Sequence, residues 1–183
     1  MSYGEFVYWT INEYIPDYIC DEIIKNYTVF EDSFTKGGVI SDYRKSGQCW
    51  ITEPFYKNLF FDIIKRANHD SGLNFQLDSI EPLQLARYVA PDGHYDFHVD
   101  GDGHSRQNAD DSVRKLSMSC LLTDPSEFEG GNLQVQTSDT PYDVKLEKGD
   151  IVIFPSYVLH RVSPVTKGVR HSLVAWANGS AFV

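Results

Sequence analysis

The sequence predicts a mainly β protein with flanking helices, an α+β arrangement in which the helices pack on one face of a β core. Two observations carry this prediction. Amphipathic runs with helical spacing occupy the first third of the chain, whereas short strand-like runs separated by turn residues fill the remainder. Many short strands at such spacing are typical of an antiparallel sandwich or barrel.

Two helices are expected in the N-terminal part of the chain. The first begins at the sequence Ile-Pro-Asp, with Asp17 as its N-cap, because isoleucines then follow at helical spacing. Residues 37–51, which contain Gly and Ser, are expected to form a loop and a short strand. The second helix covers residues 53–68, where one apolar stripe contains Phe55, Leu59, Phe60, Ile63, Ile64 and Ala67.

From residue 83 onward the sequence changes to strand-like runs separated by turn-forming residues. One predicted turn, residues 164–168, separates the last two strands. The longest irregular stretch, residues 101–112, is polar, and a loop of that length is usually a functional lid or disordered. The predicted strands cover residues 83–89, 95–100, 115–123, 132–136, 143–146, 150–154, 160–162 and 170–177.

Length and composition predict a single domain, 1–183, in which residues 1–80 form a helical support region and residues 81–183 form the β core. The 183 residues, 42% of them apolar, are enough to bury a sizeable core. A formal net charge of −10 disfavours nucleic acid and anionic membrane surfaces as partners. The three cysteines lack CxxC pairing, and the N-terminus lacks a signal-peptide pattern, so a cytoplasmic protein with reduced thiols is expected.

A His-x-Asp motif, His98-Val99-Asp100, follows one predicted strand. Residues i and i+2 of a strand point to the same face, so His98 and Asp100 can aim at one point. His160 is the best candidate for a third ligand. Two histidines and one carboxylate form the facial triad of non-haem Fe(II) oxygenases. The motif alone is weak, because a surface histidine beside a turn-capping aspartate gives the same pattern.

Arg170 and Ser172 follow His160 on the next predicted strand. An arginine that points into the same cavity could grip a carboxylate with two hydrogen bonds, and Ser172 could donate a further one. Such a clamp beside a metal triad would suit a chelating keto acid. The alternative for Arg170 is an ordinary ion pair on the surface of the sheet.

With these motifs the sequence resembles the 2-oxoglutarate- and Fe(II)-dependent dioxygenases, in particular the prolyl-4-hydroxylase-like branch and its bacterial PKHD-type relatives. The resemblance covers most of the chain and is most specific over residues 149–170. It implies a double-stranded β-helix (jelly roll) core over residues 81–183, with the N-terminal helices packed on one sheet. One departure is that residues 119–122 lack the cosubstrate-binding tyrosine of some prolyl hydroxylases.

The resemblance also implies residue roles. His98, Asp100 and His160 would bind Fe(II), and Arg170 would bind the distal carboxylate of 2-oxoglutarate. Tyr88, which lies ten residues before the first ligand, would hydrogen-bond the cosubstrate, although a core aromatic is an equal alternative. The segment that contains Arg44 and Trp50 would border a peptide groove.

The activity implied is hydroxylation of a C–H bond, with peptidyl proline as the leading substrate, a peptide or protein as partner, and 2-oxoglutarate, O₂ and ascorbate as further reactants. Two alternatives are an oxygenase of the same class that acts on a free amino acid, small molecule or nucleic acid, and a non-catalytic jelly-roll binding module. Trp176 disfavours a nucleic-acid demethylase, because those enzymes usually carry a second arginine at the corresponding position.

Overall fold

The computed structural model describes residues 8–32, 42–101 and 112–181. Most of the predicted lid segment, residues 102–111, lies outside these ranges. Within them the chain forms two α-helices, α1 (Asp17–Asn26) and α2 (Pro54–Asp70), a 3₁₀ turn (Pro125–Glu127) and thirteen strands. The strands are β1 (Trp9–Ile11), β2 (Glu31–Asp32), β3 (Arg44–Lys45), β4 (Gly47–Ile51), β5 (Ser79–Ile80), β6 (Leu83–Val89), β7 (Gly93–His98), β8 (Val113–Leu121), β9 (Phe128–Gly130), β10 (Leu133–Gln136), β11 (Tyr142–Asp143), β12 (Ile151–Pro155) and β13 (Leu159–Gly179).

The strands form two antiparallel sheets that share β13. The larger sheet has the order β1-β12-β8-β13-β6-β4-β2, and β5 pairs with the end of β13. In the smaller sheet, β13 lies between β7 and β10, with β3, β9 and β11 attached. This two-sheet architecture confirms the predicted jelly-roll fold class. The region 1–80 supplies strands to both sheets as well as both helices.

The side chains of the larger sheet alternate between its two faces, and each face packs against a separate core. On β6, Leu83 and Leu85 face the helices, whereas Ala86 and Tyr88 face the smaller sheet. Residues i and i+2 share a face, so each strand contributes to both layers. The helix-side core includes Cys20, Ile23, Phe60, Ile64, Met118, Ile151 and Leu173, and the core between the sheets includes Val135, Val152, Phe154, Val162 and Val165.

Both helices form where the sequence predicts them, but their first turns differ from the prediction. The N-cap of α1 is Pro16 rather than Asp17, which lies in the first turn, where its carboxylate faces the positive end of the helix dipole. In α2, Phe55 is 66% exposed and Tyr56 is buried instead. Because Tyr56 lies four residues before Phe60, it continues the buried stripe. No helix in the described ranges is long and apolar enough to span a membrane.

The predicted turn at residues 164–168 is wrong, because β13 runs unbroken through it from Leu159 to Gly179. The pairing register of β13 shifts near Val165, and Gly168 has a φ of +74°. Pro164 lacks an N–H, but its carbonyl accepts a hydrogen bond from Gly131 N at 3.0 Å. The turn-forming residues therefore produce bulges where β13 passes from one sheet into the other.

Most other predicted strands lie within two residues of the observed ones. The exception is the predicted strand 143–146, of which only Asp143 lies in β11. The short strand β9 was not predicted, because its sequence, Phe-Glu-Gly, is too short to show alternation.

Candidate active site

Three side chains, His98, Asp100 and His160, converge between the two sheets. His98 ends β7 and lies directly opposite His160 on β13 in the strand register. One ligand atom from each of the three residues lies within 4.8 Å of the others. His98 Nε2 is 3.7 Å from Asp100 Oδ1, and His160 Nε2 is 3.4 Å from Asp100 Oδ2. Strand pairing thus brings the distant His160 to the His-x-Asp motif.

Both imidazoles are oriented by backbone carbonyls. His98 Nδ1 lies 2.7 Å from the carbonyl oxygen of Asp96, and His160 Nδ1 lies 2.8 Å from that of Val158. Because a carbonyl can only accept, each Nδ1 carries the proton and donates it. In the neutral form of each ring the lone pair is therefore on Nε2, the nitrogen that faces Asp100. This is the tautomer that a metal ligand requires.

Burial keeps His98 neutral and local charges keep Asp100 ionised. Burial, with a smaller contribution from the charge of His160, lowers the pKa of His98 to about 4. Burial alone would raise the pKa of Asp100, but His160, His98 and the hydroxyl of Ser117 lower it below its ordinary value. Ser117 Oγ donates to Asp100 Oδ2 at 2.7 Å. At neutral pH His98 therefore offers an imidazole lone pair and Asp100 an ionised carboxylate.

The backbone around Asp100 is also held in place. The amide nitrogens of Asp100 and Gly101 both donate to the carbonyl oxygen of Ser156, at 2.9 and 3.0 Å. The Ser156 hydroxyl in turn lies 3.0 Å from that of Ser117. These contacts join the end of β7 to β8 and to the residue that follows β12. The donor set and its fixed orientation fit a divalent metal held by two histidines and one carboxylate.

Arg170 is a buried cation without an acidic partner in the described part of the chain. Its side chain is 2% exposed, and Nη1 donates to Ser172 Oγ at 3.0 Å. Burial lowers the pKa of the guanidinium, although Tyr88 opposes the shift. A buried charge is costly unless it is paired, so this position fits a bound carboxylate. The sheet-surface ion pair considered for Arg170 is not observed among the described residues, where its side chain is buried.

Two cavities meet at Leu133. One, of about 40 Å³, is lined by the three convergent side chains together with Tyr88 and Ser172. The other, of about 260 Å³, is lined by Arg170, and Leu133 contributes to both. The structure therefore places Arg170 beside the cavity of the triad rather than inside it, with Ser172 as the link between them.

Tyr88 is a core aromatic that also lines the triad cavity. It is 3% exposed and belongs to the core between the sheets, yet it also lines the triad cavity. Its ring lies 5.8 Å from the guanidinium carbon of Arg170. Tyr88 is therefore both a residue of the core between the sheets and part of the cavity wall.

Of the two predicted groove residues, Arg44 lines the triad cavity and Trp50 lies behind it. The Arg44 guanidinium lies 4.4 Å from the centre of the Tyr95 ring, and Tyr95 stacks on His98 at 3.5 Å. Trp50 is 43% exposed and packs at 6.3 Å against Trp176, which lines the cavity.

Sequence reasoning missed Tyr95 and Ser117. Tyr95 is three residues before His98, and a regular strand would place the two on opposite faces. A register shift between β7 and β13 changes that alternation, and the residues of the His-x-Asp motif do not indicate the shift. Ser117 could have been found, because a small hydroxyl residue on the inner face of a buried strand usually needs a polar partner.

The sequence matches known proteins over most of its length. The family model of the 2OG-Fe(II) oxygenase superfamily matches residues 83–178. A PKHD-type hydroxylase from Aliarcobacter butzleri is 41% identical over 165 residues, which are 86% of this chain and 70% of that protein. One from Synechococcus is 36% identical over 63% of this chain. The chain spans about half the length of that relative (51%).

Solved structures support the fold. A prolyl hydroxylase from Trichoplax adhaerens, in complex with a hypoxia inducible factor peptide fragment, has a TM-score of 0.76 at 16% identity, over 94% of this chain and 84% of that chain. A Pseudomonas putida prolyl-4-hydroxylase has a TM-score of 0.69 at 19% identity, over 93% and 91%. The predicted resemblance and the predicted enzyme class are both confirmed. The chain belongs to the 2OG-Fe(II) oxygenase superfamily, a family of dioxygenases that use Fe(II), 2-oxoglutarate and O₂.

Proposed function

We propose that the chain hydroxylates a C–H bond of a peptidyl proline and converts 2-oxoglutarate to succinate in the same cycle. One observation carries the proposal: ligand atoms of two imidazoles and one carboxylate converge within 4.8 Å, beside a buried arginine that has no acidic partner among the described residues. The balanced reaction combines 2-oxoglutarate, O₂ and a C–H bond, and it yields succinate, CO₂ and the C–OH product.

In this proposal, His98, Asp100 and His160 hold Fe(II). When bound, the metal with 2-oxoglutarate and O₂ supplies the oxidation that the protein side chains cannot perform. Three protein ligands leave positions free for the cosubstrate and O₂. The carbonyls of Asp96 and Val158 keep both Nε2 atoms aimed at one point, so the ligands are oriented before the metal binds.

Arg170 and Ser172 bind the distal carboxylate of 2-oxoglutarate, and Tyr88 forms part of the wall of the adjoining triad cavity, which Ser172 also lines. Desolvation of Arg170 strengthens its attraction for a carboxylate, because few waters compete for the guanidinium. Apolar side chains around the triad, Phe154 and Val162 among them, keep water away from the reacting centre.

A peptide is the proposed substrate because the relatives are named PKHD-type hydroxylases and a structural neighbour was solved with a peptide. Arg44 is placed to form one edge of the substrate groove, since it lines the triad cavity and is half-buried. Trp50 extends this edge through its contact with Trp176.

Two measurements test the proposal. Fe(II) and 2-oxoglutarate are titrated into the metal-free protein without O₂, and the metal-to-ligand charge-transfer absorption is followed. The band should form in the wild type and be lost in His98→Ala. Mass spectrometry of a proline-containing peptide library, incubated aerobically, should then detect products heavier by one oxygen atom. A band without any hydroxylated proline would exclude the proline substrate, and no band at all would exclude the metal site.

The proposal has three further parts. Residues 1–183 act as one oxygenase domain, which the sharing of β13 between both sheets supports. Ascorbate serves as a reductant that keeps the metal ferrous. The chain is cytoplasmic, in line with its three free cysteines, Cys20, Cys49 and Cys120. The alternative of a non-catalytic module is disfavoured by the intact triad.

A further inference from the structure

The largest of the cavities described here lies beside the triad cavity, not within it. It has a volume of about 380 Å³ and is lined by strand ends of both sheets. Arg44 lines this cavity and the triad cavity alike, so the two adjoin at its side chain. Because Arg44 and Arg87 dominate its charge, we name it the Arg44–Arg87 cavity.

The polar lining of this cavity is cationic. Three cations, Arg44, Lys45 and Arg87, face two carboxylates, Asp32 and Asp92. Lys45 Nζ binds Asp92 Oδ2 at 2.7 Å, so these two charges compensate each other. In a chain with a formal net charge of −10, a cavity with more cations than carboxylates is an exception to the overall charge.

Neither arginine is paired with an acidic residue in the described ranges. Arg44 donates to two neutral oxygens, Ser46 Oγ at 2.8 Å and Gln84 Oε1 at 2.9 Å. Arg87 lies 4.1 Å from the centre of the Phe30 ring, and its buried Nε has no hydrogen-bond partner there. Stacking on an aromatic ring orients a guanidinium without neutralising it. Both groups therefore keep their charge and part of their donor capacity for a carboxylate.

The distance from the Arg44 guanidinium to the triad fits a peptide that occupies both cavities. Arg44 lies 4.4 Å from the Tyr95 ring centre, which is 3.5 Å from that of His98. The guanidinium of Arg44 is therefore no more than about 8 Å from the imidazole of a proposed metal ligand. An extended chain advances about 3.3 Å per residue, so two or three residues span this gap.

We propose that the Arg44–Arg87 cavity binds an acidic side chain of the substrate, two or three residues from the position that is hydroxylated. This inference rests on the proposed function and adds a specificity to it. Arg44 would hold the near side of the carboxylate, and Arg87 the far side, in charge-assisted hydrogen bonds.

The test uses paired peptides with a central proline, in which one flanking residue is Glu or the isosteric Gln. Hydroxylation is followed by mass spectrometry, and binding is followed by calorimetry with Mn(II) in place of Fe(II), so that turnover does not interfere. When the varied residue is on one particular side of the proline, we expect the Glu peptide to exceed its Gln partner in kcat/KM and in affinity by about tenfold. Free acetate should compete only weakly with the Glu peptide for binding to the protein.

Arg87→Gln should reduce this preference severalfold, because it removes one of the two guanidiniums while leaving Arg44 and the triad in place. Arg87→Lys should keep part of it, since a charge remains without the planar fork. Arg66→Gln is the matched control, because Arg66 lies 75% exposed on α2, far along the chain from the cavity residues. Arg44 is unsuitable for substitution, since its loss would also disturb the stack on Tyr95.

The outcomes separate the inference from the proposed function. Hydroxylation of Glu and Gln peptides at equal efficiency overturns the inference and leaves the hydroxylase intact. Preferential binding of Glu peptides to the Mn(II) protein, without hydroxylation of their proline, supports the carboxylate site and overturns the proline substrate. Equal binding of acetate and the Glu peptide overturns a peptide side chain as the occupant of the cavity, and a preference for Glu that is undiminished in Arg87→Gln overturns the role of Arg87.

Discussion

The hydroxyl of Ser117 donates a 2.7 Å hydrogen bond to Asp100 Oδ2, the carboxylate oxygen that also lies 3.4 Å from His160 Nε2. One neutral donor on β8 thus engages the carboxylate that links the two histidines. A carboxylate held in this way cannot rotate freely, so its second oxygen, Oδ1, stays near His98. The geometry of the triad therefore depends on a residue outside it.

Replacing Ser117 by alanine should weaken metal binding. Loss of a partner that orients a ligand typically costs about 10–100-fold in metal affinity. We expect the Fe(II) dissociation constant, measured without O₂ by the charge-transfer band, to rise within that range. Ser117→Thr should restore most of the affinity because it keeps the hydroxyl. Ser163→Ala, which removes a surface hydroxyl bonded to Asn132 N, serves as control. Equal affinity in Ser117→Ala and the wild type would contradict the role assigned to this hydrogen bond.

Arg170→Met should reduce cosubstrate affinity without unfolding the protein. The guanidinium is buried and lacks an acidic partner in the described ranges, so an apolar chain of similar length removes a desolvated charge. Loss of charge-assisted hydrogen bonds should weaken 2-oxoglutarate binding by about 10–100-fold. Titration of 2-oxoglutarate into the Fe(II) protein measures this change, and thermal unfolding checks that the fold persists. Unchanged 2-oxoglutarate affinity would show that the carboxylate binds elsewhere.

Gly131 offers a test of the Arg170 position that leaves Arg170 itself intact. A Cβ at Gly131 would lie 3.0 Å from Arg170 Cδ and 2.8 Å from Val165 Cγ2, and its φ is +64°. Gly131→Ala should therefore both strain the backbone and displace Arg170. Gly72→Ala is the control, since Gly72 has a φ of +76° but no heavy atom within 4 Å of its Cβ position. Both variants should lose about 1–2 kcal/mol of stability through the backbone, but only Gly131→Ala should also weaken 2-oxoglutarate binding.

His171 should make the stability of the metal-free protein depend on pH. Burial, followed by the charges of Arg87 and Arg170, lowers the pKa of His171 to about 4. The unfolded chain binds a proton at its ordinary pKa, near 6.5, whereas the folded chain does not. The contribution of His171 to the stability of the fold is therefore fully present above the unfolded pKa. It is progressively lost as the pH falls from about 6.5 to about 4.

Replacement of His171 by asparagine should reduce the slope of the unfolding free energy against pH between pH 5 and pH 7. Urea unfolding of the metal-free protein, compared between pH 7 and pH 5, measures it. Asparagine retains an amide that can bond Thr123, the partner of His171 Nδ1. The part of the slope due to His98 should persist in the variant, because burial lowers the pKa of that residue as well. A slope identical to that of the wild type would mean that the pKa of His171 is the same in the folded and unfolded chains, contrary to its burial.

The sequence by itself determined the element types and the chemistry of the candidate site. Helical spacing predicted α1 and α2, alternation predicted most strands, and the His-x-Asp motif with His160 named the three residues that converge. These features are local or carry a characteristic spacing, so they can be recognised before the chain folds.

Only the tertiary structure decided how these pieces meet. Gly168 and Pro164 are turn-forming by sequence, yet they form bulges in one long strand, because strands from both sheets pair with it on either side. The stack of Tyr95 on His98 and the bond from Ser117 to Asp100 depend on register shifts and on pairing between distant strands. Such contacts are set by non-local hydrogen bonds and packing, which a local pattern does not encode.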